Sequence, residues 1–378
     1  MGTTPLPAPD ARVRSGSHLA QIGADSRAPG ELAERALHVV AAGLPRKESI
    51  KVATWNLTAS FFDGRDLSSD GRHKWLTRQN AIQQTIERQS PDVLGLQVSP
   101  QQALWINAAI PGYSTLFFSQ TPSEVETLGI ITAAEVATWK KAENPETWKD
   151  MGTPLTGIMV KEGWQISEGG GFWLKPEPNQ RPVGIDKTRQ LDKGFGNTAS
   201  YRAVMWVKLK DLETGKVLFV FNSHYPLSGD RDTRRNCAAV ERAQIDAITR
   251  GADWVSVGDR NILPRNDGKD GIWEGDLESL APLLDRAFDS ARAQNHKGQN
   301  TTWAGFDYDA WKNPVTNERF ERNTVLDVIA SNKPAAKSKY VLTQFNPATG
   351  EVSLNPAQVD PERHFGSDHL YVQAKYSL

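Results

Sequence analysis

The chain has 378 residues, of which 38% are hydrophobic and 24% charged, and this balance excludes a chain that is disordered throughout. Its 44 Lys and Arg nearly cancel its 45 Asp and Glu, so a formal charge of -1 provides no general attraction to a polyanion. The charge balance therefore neither indicates nor excludes nucleic acid as a substrate. The single cysteine, Cys237, excludes an intramolecular disulfide framework and a cysteine-based zinc cluster.

The first 48 residues differ in composition from the rest of the chain. Residues 1–30 are rich in Pro, Gly, Ser, Ala and Arg without a sustained period, which predicts a flexible leader, and Glu31–Leu44 carries apolar residues at helical spacing. No stretch approaches the length of a membrane span, and the start lacks the apolar core of a signal peptide. We expect a soluble protein that is cytoplasmic or exported without a signal peptide. The sequence does not indicate its oligomeric state.

From Ile50 onward, predicted strands alternate with predicted helices. Ile50–Asn56 alternates apolar and polar residues as a half-buried strand does. Trp75–Gln89 is predicted as a helix that ends at Ser90-Pro91, because the residue before proline avoids the helical region. Asp92–Val98 is a short and nearly all-apolar run, which is typical of a central strand. Later strands are predicted at Leu155–Lys161, Gly171–Leu174, Tyr201–Leu209, Val217–Ser223, Trp254–Gly258, Thr324–Ala330 and Leu370–Tyr376.

The arrangement of these elements predicts one domain over residues 49–378. Residues 119–154 are predicted as an insertion with a helical core at Ala133–Lys141. Turn sequences at Lys161-Glu162-Gly163 and Glu213-Thr214-Gly215 indicate hairpins among the helices. We therefore expect an α/β chain of the α+β four-layer type, in which two packed mixed β-sheets are flanked by helices.

Residues able to hydrolyse a phosphate ester stand at the ends of several predicted strands. Such chemistry requires neutralisation of the phosphoryl oxygens and a group that orients or deprotonates water. Asp327 lies within an apolar run, where a carboxylate is costly unless it has a partner. The other residues with this chemistry are Asn56, Asn222, His224, Asp259, Asn261 and, in the segment before the last strand, Ser367-Asp368-His369.

Six segments of the chain resemble motifs of the endonuclease/exonuclease/phosphatase superfamily, in the order that this family has them. They span more than 300 residues, and the resemblance implies the DNase I-like fold and hydrolysis of phosphate esters. The segments are Thr54-Trp55-Asn56, Pro91-Asp92-Val93-Leu94-Gly95-Leu96-Gln97, Asn222-Ser223-His224, Gly258-Asp259-Arg260-Asn261, Leu326-Asp327-Val328-Ile329 and Ser367-Asp368-His369.

The resemblance also implies a role for each of these side chains. His369 would be the catalytic histidine, Asp327 would orient it, and Asp259 would align or deprotonate the attacking water. Mg²⁺, with Mn²⁺ as an alternative, would be held by Asp368 together with Asp259 and Asn56. The remaining roles are contacts to the phosphate, the leaving oxygen or the metal's water shell, and they fall to Asn56, Asn222, His224 and Asn261. Arg202 could reach a phosphate oxygen.

Two positions depart from the family pattern. The principal metal-binding glutamate of the family is replaced by Val98, which cannot ligate magnesium, and Gln97 points to the opposite face of its strand. Arg260 stands where an aromatic residue is usual, and we expect it to contact substrate or replace part of the missing positive charge.

The Val98 departure leaves three functional interpretations. The first is a working hydrolase in which Asp368, Asp259 and the substrate phosphate hold the metal. The second is a catalytically inactive protein that binds a phosphate ligand or a partner. The third is an otherwise active enzyme inactivated by Val98. The sequence favours a phosphoesterase with reduced activity, and its substrate stays open among nucleic acids, lipids and small phosphoesters.

Overall fold

The computed structural model describes residues 48–58, 74–119, 131–132, 155–179, 202–226, 231–262, 277–290, 296–297, 326–341, 343–346, 348–354, 364–365, 367 and 369–378. The predicted leader, the helices predicted at Glu31–Leu44 and Ala133–Lys141, and Asp368 lie outside these residues. Within them, no helix is both long enough and apolar enough to cross a bilayer.

The described helices are α1 (Trp75–Gln89), α2 (Pro100–Ala109), α3 (Arg231–Thr249) and α4 (Ala281–Leu284), with a 3-10 turn at Leu277–Leu280. The strands in chain order are β1 (Ser49–Asn56), β2 (Val93–Val98), β3 (Tyr113–Ser119), β4 (Ile131–Thr132), β5 (Leu155–Lys161), β6 (Trp164–Trp173), β7 (Ala203–Asp211), β8 (Val217–His224), β9 (Trp254–Asp259), β10 (Phe288–Asp289), β11 (His296–Lys297), β12 (Asp327–Ser331), β13 (Lys337–Val341), β14 (Gln344–Phe345), β15 (Val352–Ser353), β16 (His364–Phe365) and β17 (Tyr371–Ser377).

Two large mixed sheets contain most of these strands. The first sheet has the order β11-β13-β17-β1-β2-β5-β3-β4, and its central pair β1–β2 is parallel. The second has the order β10-β12-β9-β8-β7-β6, and its central pair β8–β9 is parallel. A small third sheet, β15-β14-β16, accompanies them. The predicted fold class of two mixed sheets with helices is therefore confirmed.

Three apolar layers hold the sheets and helices together. Strand β2 shows the alternation, because Val93 packs between the two sheets while Leu94 and Leu96 pack on the outer face with residues of α1 and α2. A third cluster joins the outer face of the second sheet to α3. The order of layers is thus helices, first sheet, second sheet, helix, and all six residues of β2 are buried as expected for a central strand.

The sheets approach each other closely at Gly95. A Cβ atom added there would lie 2.5 Å from Val257 Cγ2 and 2.8 Å from Asn222 Oδ1, so only glycine fits without a shift. Asn222 bridges the sheets at this point, since its side-chain amide donates to Leu96 O at 2.9 Å and to Gly157 O at 2.7 Å. Gln97 Nε2 in turn donates to Asn222 Oδ1 at 2.7 Å.

Most predicted elements occur near their expected bounds, with one change of connection. Helix α1 has the predicted bounds, and Glu213-Thr214-Gly215 forms the turn of the β7–β8 hairpin, where Gly215 has a φ of 69°. The hairpin expected at Lys161-Glu162-Gly163 is wrong, because β5 belongs to the first sheet and β6 to the second. The turn signal was correct, but the chain uses this turn to change sheets.

Candidate active site

Three adjacent strands of the second sheet place three polar side chains in one row. Asp327 at the start of β12 pairs in register with Asp259 at the end of β9, and Asp259 pairs in register with His224 at the end of β8. Paired residues on neighbouring strands point to the same face. The face in this case is the one that packs against the first sheet, since Val257 and Ile329, two residues from Asp259 and Asp327, belong to the layer between the sheets.

The first sheet supplies Asn56 and His369 to the same place. Asn56 ends β1, and His369 precedes β17, which is the antiparallel neighbour of β1. Two hydrogen bonds fix these segments to each other: Trp55 Nε1 donates to His369 O at 3.0 Å, and Ser367 Oγ donates to Asn56 O at 2.6 Å. The site is therefore assembled at one edge of both sheets from residues separated by more than 300 positions in the sequence.

The Asp259 carboxylate is the centre of this group. Its Oδ2 atom accepts a hydrogen bond from Asn56 Nδ2 at 2.9 Å and lies 3.5 Å from His224 Nε2 and 3.8 Å from His369 Nε2. Its Oδ1 atom accepts the backbone N–H of Asn261 at 2.8 Å. One carboxylate oxygen thus faces both imidazoles.

His369 and Asp327 form a close pair. His369 Nδ1 lies 2.9 Å from Asp327 Oδ2, and the Asp327 side chain is fully buried. A carboxylate that accepts Nδ1–H fixes the orientation of the ring and makes Nε2 the nitrogen that can take a proton. In this structure Nε2 is the atom that points toward Asp259.

Burial shifts the protonation of the two groups that face each other across the site. It raises the pKa of the Asp259 carboxyl to about 6, and the charge of His369 opposes this shift in part. Burial lowers the pKa of the His224 imidazole well below its usual range, and the positive charge of Arg202 lowers it further. At neutral pH, Asp259 is therefore mainly ionised and His224 is neutral.

Arg202 lies within electrostatic range of this group. Its Nε and Nη1 atoms are buried and have no hydrogen-bond partner among the described residues. Burial lowers the pKa of its guanidinium to about 10, while the charge of Asp259 acts in the opposite direction. Arg202 is therefore still cationic at neutral pH, and a buried cation with unpaired donors is costly unless an anion satisfies it.

Three residues expected to contact substrate have structural partners within the protein. Asn222 is fully buried and ties the sheets together, as described above. Asn261 donates its side-chain amide to Tyr225 O at 2.8 Å. The guanidinium of Arg260 is fully buried on the outer face of the second sheet, where it pairs with Glu241 at 2.9 Å. Arg260 directly follows β9, and its side chain lies with those of Ser256 and Glu241 on the face opposite to that of Asp259.

Val98 lies in an apolar layer. Its side chain is 1% exposed and belongs to the cluster that contains Trp55, Leu57, Ala103 and Ile106, between the first sheet and its helices. The next residue, Ser99, caps the N-terminus of α2 in a capping box, in which Ser99 and Gln102 bond each other's backbone. A valine side chain is compatible with this apolar surrounding. A glutamate at the same place would be costly without a metal to pair with its charge.

The residues present suit a metal ion that keeps most of its water. Ligand atoms of Asp259, Asp327 and His369 all lie within 4.8 Å of one another. His369 and Asp327 are already bonded to each other, so Asp259 is the carboxylate that can bind a metal among the described residues. Magnesium is commonly held by one or two carboxylates, several waters and substrate phosphate, so the set fits a weakly held ion and not a closed protein cage.

Two residues that the sequence analysis did not single out support the loop after Asn56. Arg78 of α1 donates to Leu57 O at 2.8 Å and to Thr58 O at 3.1 Å. Gln102 Nε2 donates to Thr58 O at 2.8 Å. The sequence Ser99-Pro100-Gln101-Gln102 carries a capping-box signal that could have identified Gln102. No sequence signal marks Arg78, because its role depends on tertiary packing.

Comparison with solved structures identifies the fold. A structure from Bacteroides vulgatus, described as an endonuclease/exonuclease/phosphatase, has a TM-score of 0.59 and 18% identity, and the match covers 87% of this chain and 98% of that one. A mannosyl-6-phosphatase from Bacteroides thetaiotaomicron has a TM-score of 0.58 and 17% identity, covering 86% and 98%. The human Nocturnin catalytic domain has a TM-score of 0.51 and 16% identity, covering 88% and 95%.

These likenesses establish the DNase I-like fold of the endonuclease/exonuclease/phosphatase proteins for this chain. No protein-family model matches the sequence. An uncharacterized protein of Acanthamoeba polyphaga mimivirus is 25% identical over 327 residues, which is 81% of this chain and 43% of that protein. The chain thus spans less than half the length of this curated relative.

Proposed function

We propose that the protein is a phosphoesterase that hydrolyses a phosphodiester or a phosphomonoester. The observation that carries this proposal is the convergence of Asp259 Oδ2 with His224 Nε2 and His369 Nε2 within 3.8 Å, next to the His369–Asp327 pair. A base, an orienting carboxylate and hydrogen-bond donors in one place meet the needs of attack by water on phosphorus. The likeness of the fold to that of a mannosyl-6-phosphatase supports the same class of reaction.

The proposed reaction assigns a task to each side chain. Asp259 and His369 hold the water, and a proton passes from the water to His369 Nε2 while Asp327 stabilises the imidazolium that forms. The water oxygen bonds to phosphorus, the ester bond to the leaving oxygen breaks, and solvent supplies the proton of the leaving alcohol. Arg202 and His224 contact the phosphoryl oxygens, where negative charge develops.

A divalent ion, Mg²⁺ or Mn²⁺, is part of the proposal. Asp259, Asp368 and Asn56 would hold it, and when bound it would neutralise charge on the phosphoryl group. The absence of a carboxylate at Val98 leads us to expect weak binding and reduced turnover. The same absence supports the second candidate function, which is a protein that binds a phosphate ligand without hydrolysing it.

A substrate screen tests the proposal. Purified protein would be assayed with Mg²⁺ or Mn²⁺ in large excess over the protein, because a site with few carboxylates holds magnesium weakly. The panel would contain bis(p-nitrophenyl) phosphate, p-nitrophenyl phosphate, a hexose 6-phosphate, a single-stranded oligonucleotide and sphingomyelin. Release of product that disappears in the His369→Ala variant supports the phosphoesterase. Phosphate binding by calorimetry without turnover of any substrate would leave the binding protein as the function.

A further inference from the structure

A buried polar network lies on the helix side of the second sheet, behind the Asp259 strand. Arg260 Nη2 donates to Glu241 Oε1 at 2.9 Å and to Ser256 Oγ at 2.7 Å. Tyr225 Oη donates to Glu241 Oε2 at 2.7 Å, and the Arg260 guanidinium stacks 4.9 Å from the centre of the Tyr225 ring. Arg260, Glu241 and Tyr225 are all fully buried.

This network is joined through the backbone to three segments of the site. Tyr225 N donates to Asp259 O at 2.8 Å, and Arg260 N donates to Leu326 O at 2.8 Å. The network residues Tyr225 and Arg260 directly follow His224 and Asp259, and Leu326 directly precedes Asp327. The ends of β8 and β9 and the start of β12 are therefore fastened to one point on α3, which is Glu241.

A pair of buried charges is an expensive way to fill this space. Replacement of such a pair by apolar residues is often neutral or stabilising, so stability alone gives no reason for it. A guanidinium that bonds a carboxylate, a hydroxyl and a ring at once does fix its own backbone closely. In this chain that backbone belongs to the residue next to Asp259.

We infer that Arg260 and Glu241 are positioning residues, which fix the Asp259 carboxylate relative to His224 and His369 from the opposite face of the sheet. This inference rests on the proposed function. Neither side chain touches the substrate, and both act through the backbone of the Gly258–Asn261 segment. Gly258 supports the same geometry, because it has a φ of 140° and a Cβ atom there would lie 1.9 Å from Ser223 O.

The double variant Arg260→Met/Glu241→Gln tests the inference in the full-length protein. It removes both charges together, so that no buried charge is left without a partner, and Gln can still accept from Tyr225. With bis(p-nitrophenyl) phosphate and Mg²⁺ we expect kcat to fall about tenfold or more, while KM stays within about twofold, as for misplacement of a reacting group. The matched control is Ile245→Ala, one helical turn from Glu241 and fully buried.

The control should lower the melting temperature and keep kcat at an assay temperature where it is folded. A folded double variant with kcat within about twofold of the wild type would overturn the inference. If the wild type hydrolyses no phosphate ester, the proposed function fails and crystal structures of both proteins decide the inference. A shift of Asp259 Oδ2 relative to His224 Nε2 by about 1 Å, the scale that matters for reacting groups, supports it. An unchanged separation overturns it.

Discussion

At the scale of single residues, His369 is the side chain on which the proposed reaction depends most. His369→Ala should lower turnover by about a hundredfold or more, the usual scale for loss of general acid–base help. The melting temperature should also fall, because the fully buried Asp327 carboxylate loses its 2.9 Å bond to His369 Nδ1, so turnover is measured at a temperature where the variant is folded. Steady-state kinetics of the purified variant measure the effect. Full activity would remove His369 from the mechanism.

Asp259 gives a second prediction, which concerns pH and stability in metal-free buffer. Its folded-state pKa is raised to about 6 from 3.8, so the folded protein binds the proton more tightly than the unfolded chain. The stability that this proton contributes is fully present below pH 3.8 and is lost as pH rises through about 6. Asp259→Asn removes the buried charge and should raise the melting temperature at pH 8.

The gain should vanish near pH 4, where the wild-type carboxyl is mostly protonated in the folded protein. Thermal unfolding with a chelator at pH 4 and at pH 8 measures the difference in melting temperature between the variant and the wild type. The Asp259→Asn variant should be inactive at both pH values. A gain that is equal at the two pH values would show that ionisation of Asp259 is not its cause.

At the scale of secondary-structure elements, the site depends on how the two sheets are joined. Asn222 takes the place in the sequence of a substrate contact, yet its amide bridges β8 to β2 and β5. Asn222→Ala would remove the donor to the buried carbonyls of Leu96 and Gly157, and it would remove the Asn222 Oδ1 acceptor of Gln97 Nε2. Each such loss costs about 1–3 kcal/mol, so we expect urea unfolding to show a free energy of unfolding lower by at least about 3 kcal/mol.

The quantity that changes in Asn222→Ala, either KM or the urea midpoint, separates the two roles of Asn222. A substrate contact would raise KM and leave the urea midpoint unchanged, whereas a bridge between sheets lowers the midpoint. Thr54→Val is a matched control in the same layer, because the Thr54 hydroxyl accepts a long 3.3 Å bond from Gln97 Nε2 there. It should cost less than Asn222→Ala. Equal losses in the two variants would contradict the specific role of the Asn222 bridge.

At the scale of the whole molecule, the sequence predicts the fold better than the roles of individual polar residues. The alternation of β1 and the all-apolar run of β2 predicted their places, because burial on one or two faces leaves a direct pattern. The sequence also placed polar residues at the ends of predicted strands, and the structure brings the ligand atoms of Asp259, Asp327 and His369 within 4.8 Å of one another. The destinations of Asn222 and Arg260 were not predictable, since they depend on which face of a strand meets the other sheet and which meets α3.

Val98 is another residue whose surroundings the sequence did not predict. The sequence places it at the end of a central strand, where the resembling family has its metal-binding glutamate. In the structure its side chain is 1% exposed among apolar residues on the helix side of the first sheet. A longer side chain at this last position of β2 would have to extend past the strand end to approach Asp259.

The Val98→Glu variant tests whether it does so. A glutamate held in the apolar layer is costly, so we expect lower stability than the wild type in chelator. A magnesium ion that binds the new carboxylate together with Asp259 would offset this cost, because a ligand of the folded state stabilises it by mass action. We therefore expect tighter Mg²⁺ binding by calorimetry, a larger rise in melting temperature with Mg²⁺, and faster hydrolysis of bis(p-nitrophenyl) phosphate.

The control is Val98→Gln, whose side chain has the shape of glutamate without its charge. It should show none of these gains. Equal metal affinity and turnover in the wild type and Val98→Glu would mean that other residues hold the ion. Activity in Val98→Glu alone would make the present chain an inactivated hydrolase.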